Sequence, residues 1–363
     1  MTIASIGNTA EHARPETGAR EESHAALRLW LLVVGAMIVA MVLVGGATRL
    51  TDSGLSITEW KPIHGVIPPM NAAEWAEEFD KYRQIPEYQQ INKGMSLSQF
   101  QFIYWWEWGH RLLGRAIGVA FAVPLAIFWF AGMVPGWLKP RLVALLALGG
   151  LQGAIGWWMV TSGLVERTDV SQYRLAVHLT LAFVILAYIA WLYARLTPVL
   201  EARDGAGKDV QVWSALLVAG LVLQVFLGGL VAGLDAGMTF NTWPLMDGAI
   251  VPSGLWLMDP VWVNHFENIA TVQFQHRMSA YALVVLAGFV AWRTMSTGAG
   301  LAARRAAWAV SGLVVAQALT GIVTLLMQVP LSWALMHQGL ACLLLIACIV
   351  HLRTVTRLPD PAA

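Results

Sequence analysis

The chain has 363 residues, of which 57% are hydrophobic and only 12% are charged. A soluble globular domain carries about 25% charged residues, so this deficit indicates a protein surrounded mostly by lipid. The formal net charge of +1 gives no electrostatic reason to expect a nucleic-acid partner. The two cysteines, Cys342 and Cys348, lie too far apart along one predicted helix for a disulfide. With only these two cysteines, no cysteine metal cage and no thiol chemistry is available.

The N-terminal segment 1–25 is polar, mixed in charge and rich in Ala, Gly and Glu, so we predict a disordered cytoplasmic tail. Glu11, Glu16 and Glu21 argue against a mitochondrial transit peptide, which is normally poor in acidic residues. The apolar run that follows is too long for a cleaved signal peptide. We therefore expect it to remain in the protein as the first membrane anchor.

Eight segments are apolar over roughly the 20 residues that a helix needs to cross a bilayer. The second and the sixth each begin with polar residues before the apolar stretch. Together the segments predict an all-α integral membrane protein with eight transmembrane helices. Their approximate ranges are 29–49, 103–132, 142–163, 174–195, 212–233, 270–293, 306–328 and 332–352.

Lys and Arg in the short loops predict the orientation of the chain in the membrane. They concentrate on the side that also carries the N-terminus, which the positive-inside rule assigns to the cytoplasm. Both termini are then cytoplasmic, and the two long loops, about 50–102 and 234–269, are extracytoplasmic. The basic residues on the cytoplasmic side are Lys139, Arg141, Arg195, Arg203, Lys208, Arg293, Arg304, Arg305, Arg353 and Arg357.

The sequence contains an internal repeat of four helices. Because four is even, the two copies have the same orientation, and we predict two four-helix bundles related by a pseudo-twofold axis along the membrane normal. The matched residues are Gly45-Gly46 with Gly228-Gly229, Asp52 with Asp235, Gly54 with Gly237, Trp60 with Trp243, Gly65 with Gly248, His110-Arg111 with His276-Arg277, Gln152 with Gln317, Gly156 with Gly321 and His178 with His337.

This repeat predicts the division of the chain into units. The N-terminal half covers 26–195, and the C-terminal half covers 212–353. A polar cytoplasmic linker, 196–211, joins the two halves, and a short cytoplasmic tail, 354–363, follows the last span.

Four histidines lie within predicted spans at repeat-matched positions, each near the extracytoplasmic end of its helix. Paired imidazoles at equal depth on facing helices can hold one haem iron between them. We therefore predict two haem sites, one formed by His110 with His178 and the other by His276 with His337. The alternative is that each histidine only hydrogen-bonds a neighbouring helix. The remaining histidines are interpreted as structural: His12, His24, His64, His265 and His351.

The two halves differ at the position three residues before the first histidine of each pair. Glu107 precedes His110, whereas Gln273 precedes His276. A carboxylate can exchange a proton or stabilise a developing positive charge, and an amide cannot exchange a proton in this way. We expect a reaction site in the N-terminal half and an electron-transfer haem in the C-terminal half. The alternative is that Glu107 simply pairs with Arg111 or contacts water.

Two further features admit a functional and a structural interpretation. Arg111 and Arg277 are candidate ligands for haem propionates, because a guanidinium binds carboxylates in a bidentate manner. A salt bridge at the rim or a side chain reaching to the membrane surface explains them equally well. The turn-rich loop 45–62 is expected to cap the first haem site, and a purely structural loop is the alternative.

These motifs together resemble the haem A synthase family, in the form found in α-proteobacteria and mitochondria. The resemblance rests on Glu107-x-x-His110-Arg111, on the loop that begins Gly45-Gly-Ala-Thr-Arg-Leu-Thr, and on Gln273-Phe-x-His276-Arg277. It covers about residues 29–352. Some bacterial relatives carry a cysteine pair in the first outer loop, and this chain has none there, which excludes a mechanism that depends on such a pair.

The resemblance implies an enzyme that oxidises a methyl group of haem O to a formyl group, by successive hydroxylations, to make haem A for cytochrome oxidase. It implies that Glu107 is the catalytic carboxylate and that His110 and His178 are ligands of the substrate haem O. It also implies that His276 and His337 bind the iron of a permanent haem b cofactor.

The implied location is the inner membrane of a bacterium, as a multi-pass protein with its haem sites near the extracytoplasmic face. The implied partners are haem O, haem O synthase, membrane lipid and an electron acceptor of unspecified identity, with a homo-oligomer also compatible.

Two other functions compete with this interpretation. A b-type cytochrome would pass electrons without altering its haem, and equal chemistry in the two halves would favour it. The difference between Glu107 and Gln273 disfavours it. A transporter with parallel repeats would have broken helices and charged residues near the middle of the bilayer, and the predicted spans contain few acidic residues.

Overall fold

The structure is a computed structural model that describes residues 14–197 and 207–356, with side chains from residue 24 onward. Within these ranges the chain forms helices that are joined by turns and loops. In chain order the helices are α1 (Arg14–Leu50), α2 (Ala72–Tyr82), α3 (Pro86–Gln90), α4 (Leu97–Phe130), α5 (Lys139–Thr161), α6 (Gln172–Arg195), α7 (Lys208–Gly233), α8 (Asn264–Glu267), α9 (Ile269–Ser296), α10 (Leu301–Leu326) and α11 (Leu331–Val355).

Eight of these helices are long and apolar enough to cross a membrane: α1, α4, α5, α6, α7, α9, α10 and α11. Each coincides with one of the eight segments predicted from the sequence to within a few residues at its C-terminal end, so the predicted all-α membrane architecture is confirmed. The helix α4 continues through Pro124 without a break between its bounds. Every span is continuous in the described ranges, which differs from the broken helices expected of a transporter.

The ends of the chain differ in one respect from the prediction. The helix α1 begins at Arg14, so residues 14–25 are helical where a disordered tail was predicted. This stretch contains Ala, Arg and Glu, which have high helix propensity, and it extends a helix that the membrane already stabilises. The remainder of that tail, most of the linker and most of the C-terminal tail lie outside the described residues.

The spans form an inner set and an outer set. Among the inner helices, α6 and α11 each contact α1 and α7 and also contact each other, and each outer helix packs mainly against one inner span and one other outer span. The contacts of α1 with α4, α6 and α11 correspond to those of α7 with α9, α11 and α6. This correspondence is what the pseudo-twofold relation predicts, although the symmetry itself stays a prediction.

Glycines allow the two halves to approach closely where α7 meets α6. A Cβ added at Gly229 would lie 2.6 Å from the Cα of Ala176, and one added at Gly233 would lie 2.6 Å from the Cα of Gln172. Because backbone atoms cannot move aside as a flexible side chain can, only glycine fits at these positions. Small residues of this kind are typical of tightly packed membrane helices.

The first outer loop is a folded structure that packs on the outer end of α4. Its helices α2 and α3 bury Phe79 and Tyr82 against Phe100 of α4. Ser96 and Gln99 form a capping box that starts α4 at Leu97. The second long loop contains the short helix α8. Asn268 lies between α8 and α9, and its side chain caps the start of α9. Both loops therefore lie over the same end of the bundle.

Candidate functional site

The four intramembrane histidines lie toward the end of the bundle that carries the two outer loops. His110 is on α4, His178 on α6, His276 on α9 and His337 on α11, and all four are half-buried. The first predicted pair therefore lies on α4 and α6 and the second on α9 and α11, and the sharing of one haem by each pair stays a prediction.

Each of these rings packs against a helical glycine on the span that precedes its own. The distances from an added Cβ to the nearest ring atom are 3.1 Å at Gly45 for His110, 2.9 Å at Gly156 for His178, 3.2 Å at Gly228 for His276 and 2.8 Å at Gly321 for His337. These distances are shorter than ordinary contacts between non-bonded carbon atoms, which are about 3.5–4.0 Å. The glycines therefore provide the space that the imidazoles occupy.

Glutamine amides contact three of the four rings. The Nε2 atom of Gln152 lies 3.2 Å from Nδ1 of His178, and that of Gln317 lies 3.1 Å from Nδ1 of His337. The Nε2 atom of Gln224 lies 3.1 Å from Nδ1 of His276. Gln152 and Gln317 are matched positions of the sequence repeat, and the repeat alone predicts no role for them.

The matched residues of the sequence repeat do not include Gln224, so its contact with His276 was not predicted. It lies one helical turn before Gly228 and so shares a helix face with that glycine. The position of α1 that corresponds to Gln224 holds Met41, whose terminal methyl packs toward Gly114 of α4. In the described part of the chain no hydrogen bond is made by the ring of His110.

Glu107 is buried, with 3% of its side chain exposed, and both of its oxygens are engaged. Its Oε1 accepts hydrogen bonds from Nη2 and Nε of Arg111 at 2.6 and 3.1 Å. Its Oε2 accepts from Oγ of Ser56 at 2.7 Å and from the backbone N–H of Ile57 at 2.8 Å. The pairing with Arg111, which the sequence left open as an alternative, is therefore present, and the carboxylate also holds the first outer loop.

Arg111 and Arg277 bind corresponding carbonyls of the two outer loops. Arg111 donates to the carbonyl oxygens of Ile57 at 2.7 Å and Glu59 at 3.0 Å. Arg277 donates to those of Phe240 at 2.7 Å and Thr242 at 2.9 Å, which are the repeat-matched positions. The main contacts of both guanidiniums are thus with loop backbone, and their assignment to haem propionates stays a prediction.

Gln273 has the place in the second half that Glu107 has in the first. Its oxygen accepts from Arg277 at 2.9 Å, and its Nε2 donates to the carbonyls of Ala236 and Thr239 at 2.6 and 2.5 Å. The amide therefore holds the second outer loop much as the carboxylate holds the first. The difference between the halves lies in charge rather than in shape.

An ion cluster on the outer surface joins the two halves, and nothing in the sequence reasoning anticipated it. Arg49, at the end of α1, pairs with Asp169 at 2.7 Å and with Asp235 at 3.0 Å. It also donates to the carbonyl oxygen of Ala232 at 3.1 Å. Burial raises the pKa of Asp169, and the charge of Arg49 opposes that shift.

Glu87, in the helix α3, is a second buried acid near the same cluster. Its side chain is 5% exposed, and its Oε2 has no hydrogen-bond partner in the described structure. Burial raises the pKa of this carboxyl to about 8, and the negative charges of Glu107, Asp169 and Asp52 act in the same direction. Its position in a loop without a recognisable motif explains why the sequence did not single it out.

The donor set suits haem iron. Neutral imidazoles are standard axial ligands of haem, and the glycines give each ring the space it needs. The glutamine amides are the kind of neighbour that orients a metal-binding histidine. Within residues 24–197 and 207–356 no cluster of three or more His, Cys, Asp or Glu could hold a bare metal ion.

Comparison with known proteins places this arrangement in a family. The model for COX15-CtaA, described as a cytochrome oxidase assembly protein, matches residues 28–349. Proteins named heme A synthase from Brucella ovis and Brucella abortus are 54% identical over 337 residues, which are 93% of this chain and 94% of theirs. Another from Brucella anthropi is 52% identical over 353 residues, covering 97% of this chain and 98% of its own. The chain belongs to the COX15-CtaA family of cytochrome oxidase assembly proteins.

Proposed function

We propose that this protein is a haem A synthase, a membrane-bound oxidoreductase that converts a methyl group of haem O into a formyl group. The observation that carries the proposal is the presence of two histidine pairs at repeat-matched positions, each ring packed against a glycine. A protein with two haem sites of unequal chemistry suits an oxidation in which one half holds the substrate and the other removes electrons.

The N-terminal pair, His110 and His178, is assigned to the substrate haem O. The C-terminal pair, His276 and His337, is assigned to a resident haem b. Haem b, when bound, supplies a carrier that takes up one electron at a time. The residues of this chain orient both groups through their imidazoles and exclude bulk lipid from the space between the helices.

Glu107 is assigned to the reaction site as a fixed negative charge. The hydrogen bonds from Arg111, Ser56 and the N–H of Ile57 hold this carboxylate in one position. A carboxylate held there can stabilise positive charge that develops on the substrate. Hydroxylation of a methyl C–H by water releases two electrons and two protons, so positive charge develops on the substrate as electrons leave.

The charge difference between the halves supports electron flow from the first site to the second. In the N-terminal half the charge of Arg111 is balanced by Glu107 at 2.6 Å. In the described part of the C-terminal half, the hydrogen bonds of Arg277 go to neutral groups, the amide oxygen of Gln273 and two backbone carbonyls. An unbalanced positive charge beside the His276 position favours the reduced form of a haem bound there.

The wider assignments follow from the same interpretation. We assign 26–195 to the substrate half and 212–353 to the haem b half, with both termini in the bacterial cytoplasm and the histidines near the opposite face. Haem O synthase is the expected supplier of the substrate. An electron acceptor outside this chain is required, because the reaction releases more electrons than one haem b stores.

The experiment that tests the proposed function is pigment extraction from the purified full-length protein and its Glu107→Gln variant. The wild type is expected to contain haem b together with haem O, haem A or a hydroxylated intermediate. Glu107→Gln reproduces the residue found at the matched position, Gln273, so the outer loop should remain in place. The variant is expected to hold both haems but to form no haem A.

Two results would count against the proposal. A wild type that contains haem b alone, in a cell that makes haem O, would indicate a simple electron carrier. Continued production of haem A by Glu107→Gln would show that the reaction does not need that carboxylate, and it would leave the assignment of the histidines unchanged.

A further inference from the structure

The two halves differ in how they hold the first histidine of each pair. In the C-terminal half Nε2 of Gln224 donates to the backbone carbonyl of His276 at 3.0 Å and lies 3.1 and 3.3 Å from Nδ1 and Nε2 of its ring. Ser279 hydrogen-bonds the amide oxygen of the same glutamine, so the amide itself is held in place. The ring of His276 is therefore fixed by a network of neighbouring polar groups.

In the N-terminal half the corresponding network is absent from the described structure. Met41 replaces Gln224, and a thioether offers no N–H and only a weak acceptor to an imidazole. The residue that corresponds to Ser279 is Leu113, which has no polar side-chain atom. Neither of these residues can hydrogen-bond the ring of His110 as Gln224 and Ser279 hold His276.

We infer that Gln224 makes His276 a permanent haem ligand, and that Met41 leaves His110 an exchangeable one. This inference rests on the proposed function. An enzyme whose substrate and product are both haems must release one of its haems after each turnover and keep the other. The positions of Gln224 and Met41 assign these two behaviours to the two halves.

The expected size of the effect follows from the behaviour of other metal sites. Loss of a group that hydrogen-bonds a metal-binding histidine typically lowers metal affinity about 10- to 100-fold. The amide of Gln224 donates to the backbone carbonyl of His276 and accepts from Ser279, so it fixes the position of the residue that carries the ring. Methionine can do neither to a comparable extent.

The test is transfer of haem from the full-length protein in lipid nanodiscs to apomyoglobin, followed by absorbance. The protein is first loaded with protohaem, which can occupy both sites without being converted. Wild type is expected to release haem in a fast and a slow phase of equal amplitude. Met41→Gln should slow the fast phase about 10- to 100-fold, and Gln224→Met should accelerate the slow phase by a similar factor.

Two further variants keep the result interpretable. Met37→Gln places the same polar group one turn away from Met41 on α1 and should leave both phases unchanged. Gln224→Glu retains a hydrogen-bond acceptor for His276 and should keep the slow phase slow. Electron paramagnetic resonance of the ferric protein, which is sensitive to the orientation of axial imidazoles, should change for the N-terminal haem in Met41→Gln.

The outcomes separate this inference from the proposed function. Binding of two haems by wild type, with release phases that neither Met41→Gln nor Gln224→Met alters, would overturn the inference alone. Binding of fewer than two haems by wild type would overturn both. Slower release from Met41→Gln, without the same change in Met37→Gln, supports the inference even if Gln224→Met does not fold.

Discussion

Replacing Gly321 by alanine should remove haem from the C-terminal site while leaving the fold intact. Gly321 of α10 faces the imidazole of His337, and an added Cβ would lie 2.8 Å from its Cε1 atom. Carbon atoms not bonded to each other prefer separations of about 3.5–4.0 Å, so the ring must retreat by roughly 0.7–1.2 Å. Ligand geometry has to be kept within about 0.5 Å, and this displacement exceeds that tolerance.

The expected loss of haem affinity is at least about 100-fold, because disturbing the position of a ligand is more severe than removing its hydrogen-bond partner. The helix itself should gain about 0.5–1 kcal/mol from the same change, since glycine is less favourable than alanine in a helix interior. Loss of haem in Gly321→Ala would therefore not reflect a weakened helix.

The assay is the ratio of haem to protein in purified samples, with thermal unfolding measured in parallel. Gly312→Ala is the matched control on the same helix, because a Cβ at Gly312 meets nothing within 4 Å. The control should bind as much haem as wild type. A full complement of haem b in Gly321→Ala, with an unchanged spectrum, would refute the assignment of His337 as a ligand held by this contact.

Three further predictions test other parts of the site. In Gly156→Ala the added Cβ would lie 2.9 Å from the ring of His178, so this variant should form no haem A but should still contain haem b when its pigments are extracted. Gly153→Ala is the control, because it has open space around it, and it should stay active. Gln273→Glu should lower the midpoint potential of the C-terminal haem in a redox titration, because a carboxylate would balance the charge of Arg277; an unchanged potential would contradict the charge argument. Glu87→Gln should flatten the pH dependence of thermal stability, because the folded wild type keeps this proton up to about pH 8 while the unfolded chain releases it near 4.5. Stability of the wild type should therefore fall as pH rises between these values, at up to about 1.4 kcal/mol per pH unit, and a variant that loses stability equally would exclude Glu87 as the source.

The membrane architecture could be predicted from the sequence because hydropathy reports directly on contact with lipid. The starts of the helices could not be predicted in the same way. The apolar stretch of α4 begins near residue 103, but the helix begins at Leu97, where the capping box of Ser96 and Gln99 satisfies its first N–H groups. Hydropathy identifies the part of a helix in the bilayer, whereas local hydrogen bonding determines where the helix begins.

The placement of the four histidines on four spans could be predicted because the repeat matches their positions, and their pairing around haem stays a prediction. The partners of those histidines were harder to identify, because Gln224 and His276 are on different helices and their contact depends on helix rotation. The same holds for Glu107, whose contact with Ser56 joins a span to a loop that only the folded chain brings together. Sequence patterns identify the polar residues, and three-dimensional packing determines which of them meet.

Under the proposed function, the ion cluster at Arg49 bears on electron transfer between the two halves. Arg49 ends the first span, yet it binds Asp235 and the carbonyl of Ala232 at the end of α7 in the other half. Bonds of this kind oppose a rocking motion between the halves. Tunnelling rates fall steeply with the distance between donor and acceptor, so a clamp that keeps the two halves at constant separation would also keep the electron-transfer rate constant throughout the catalytic cycle.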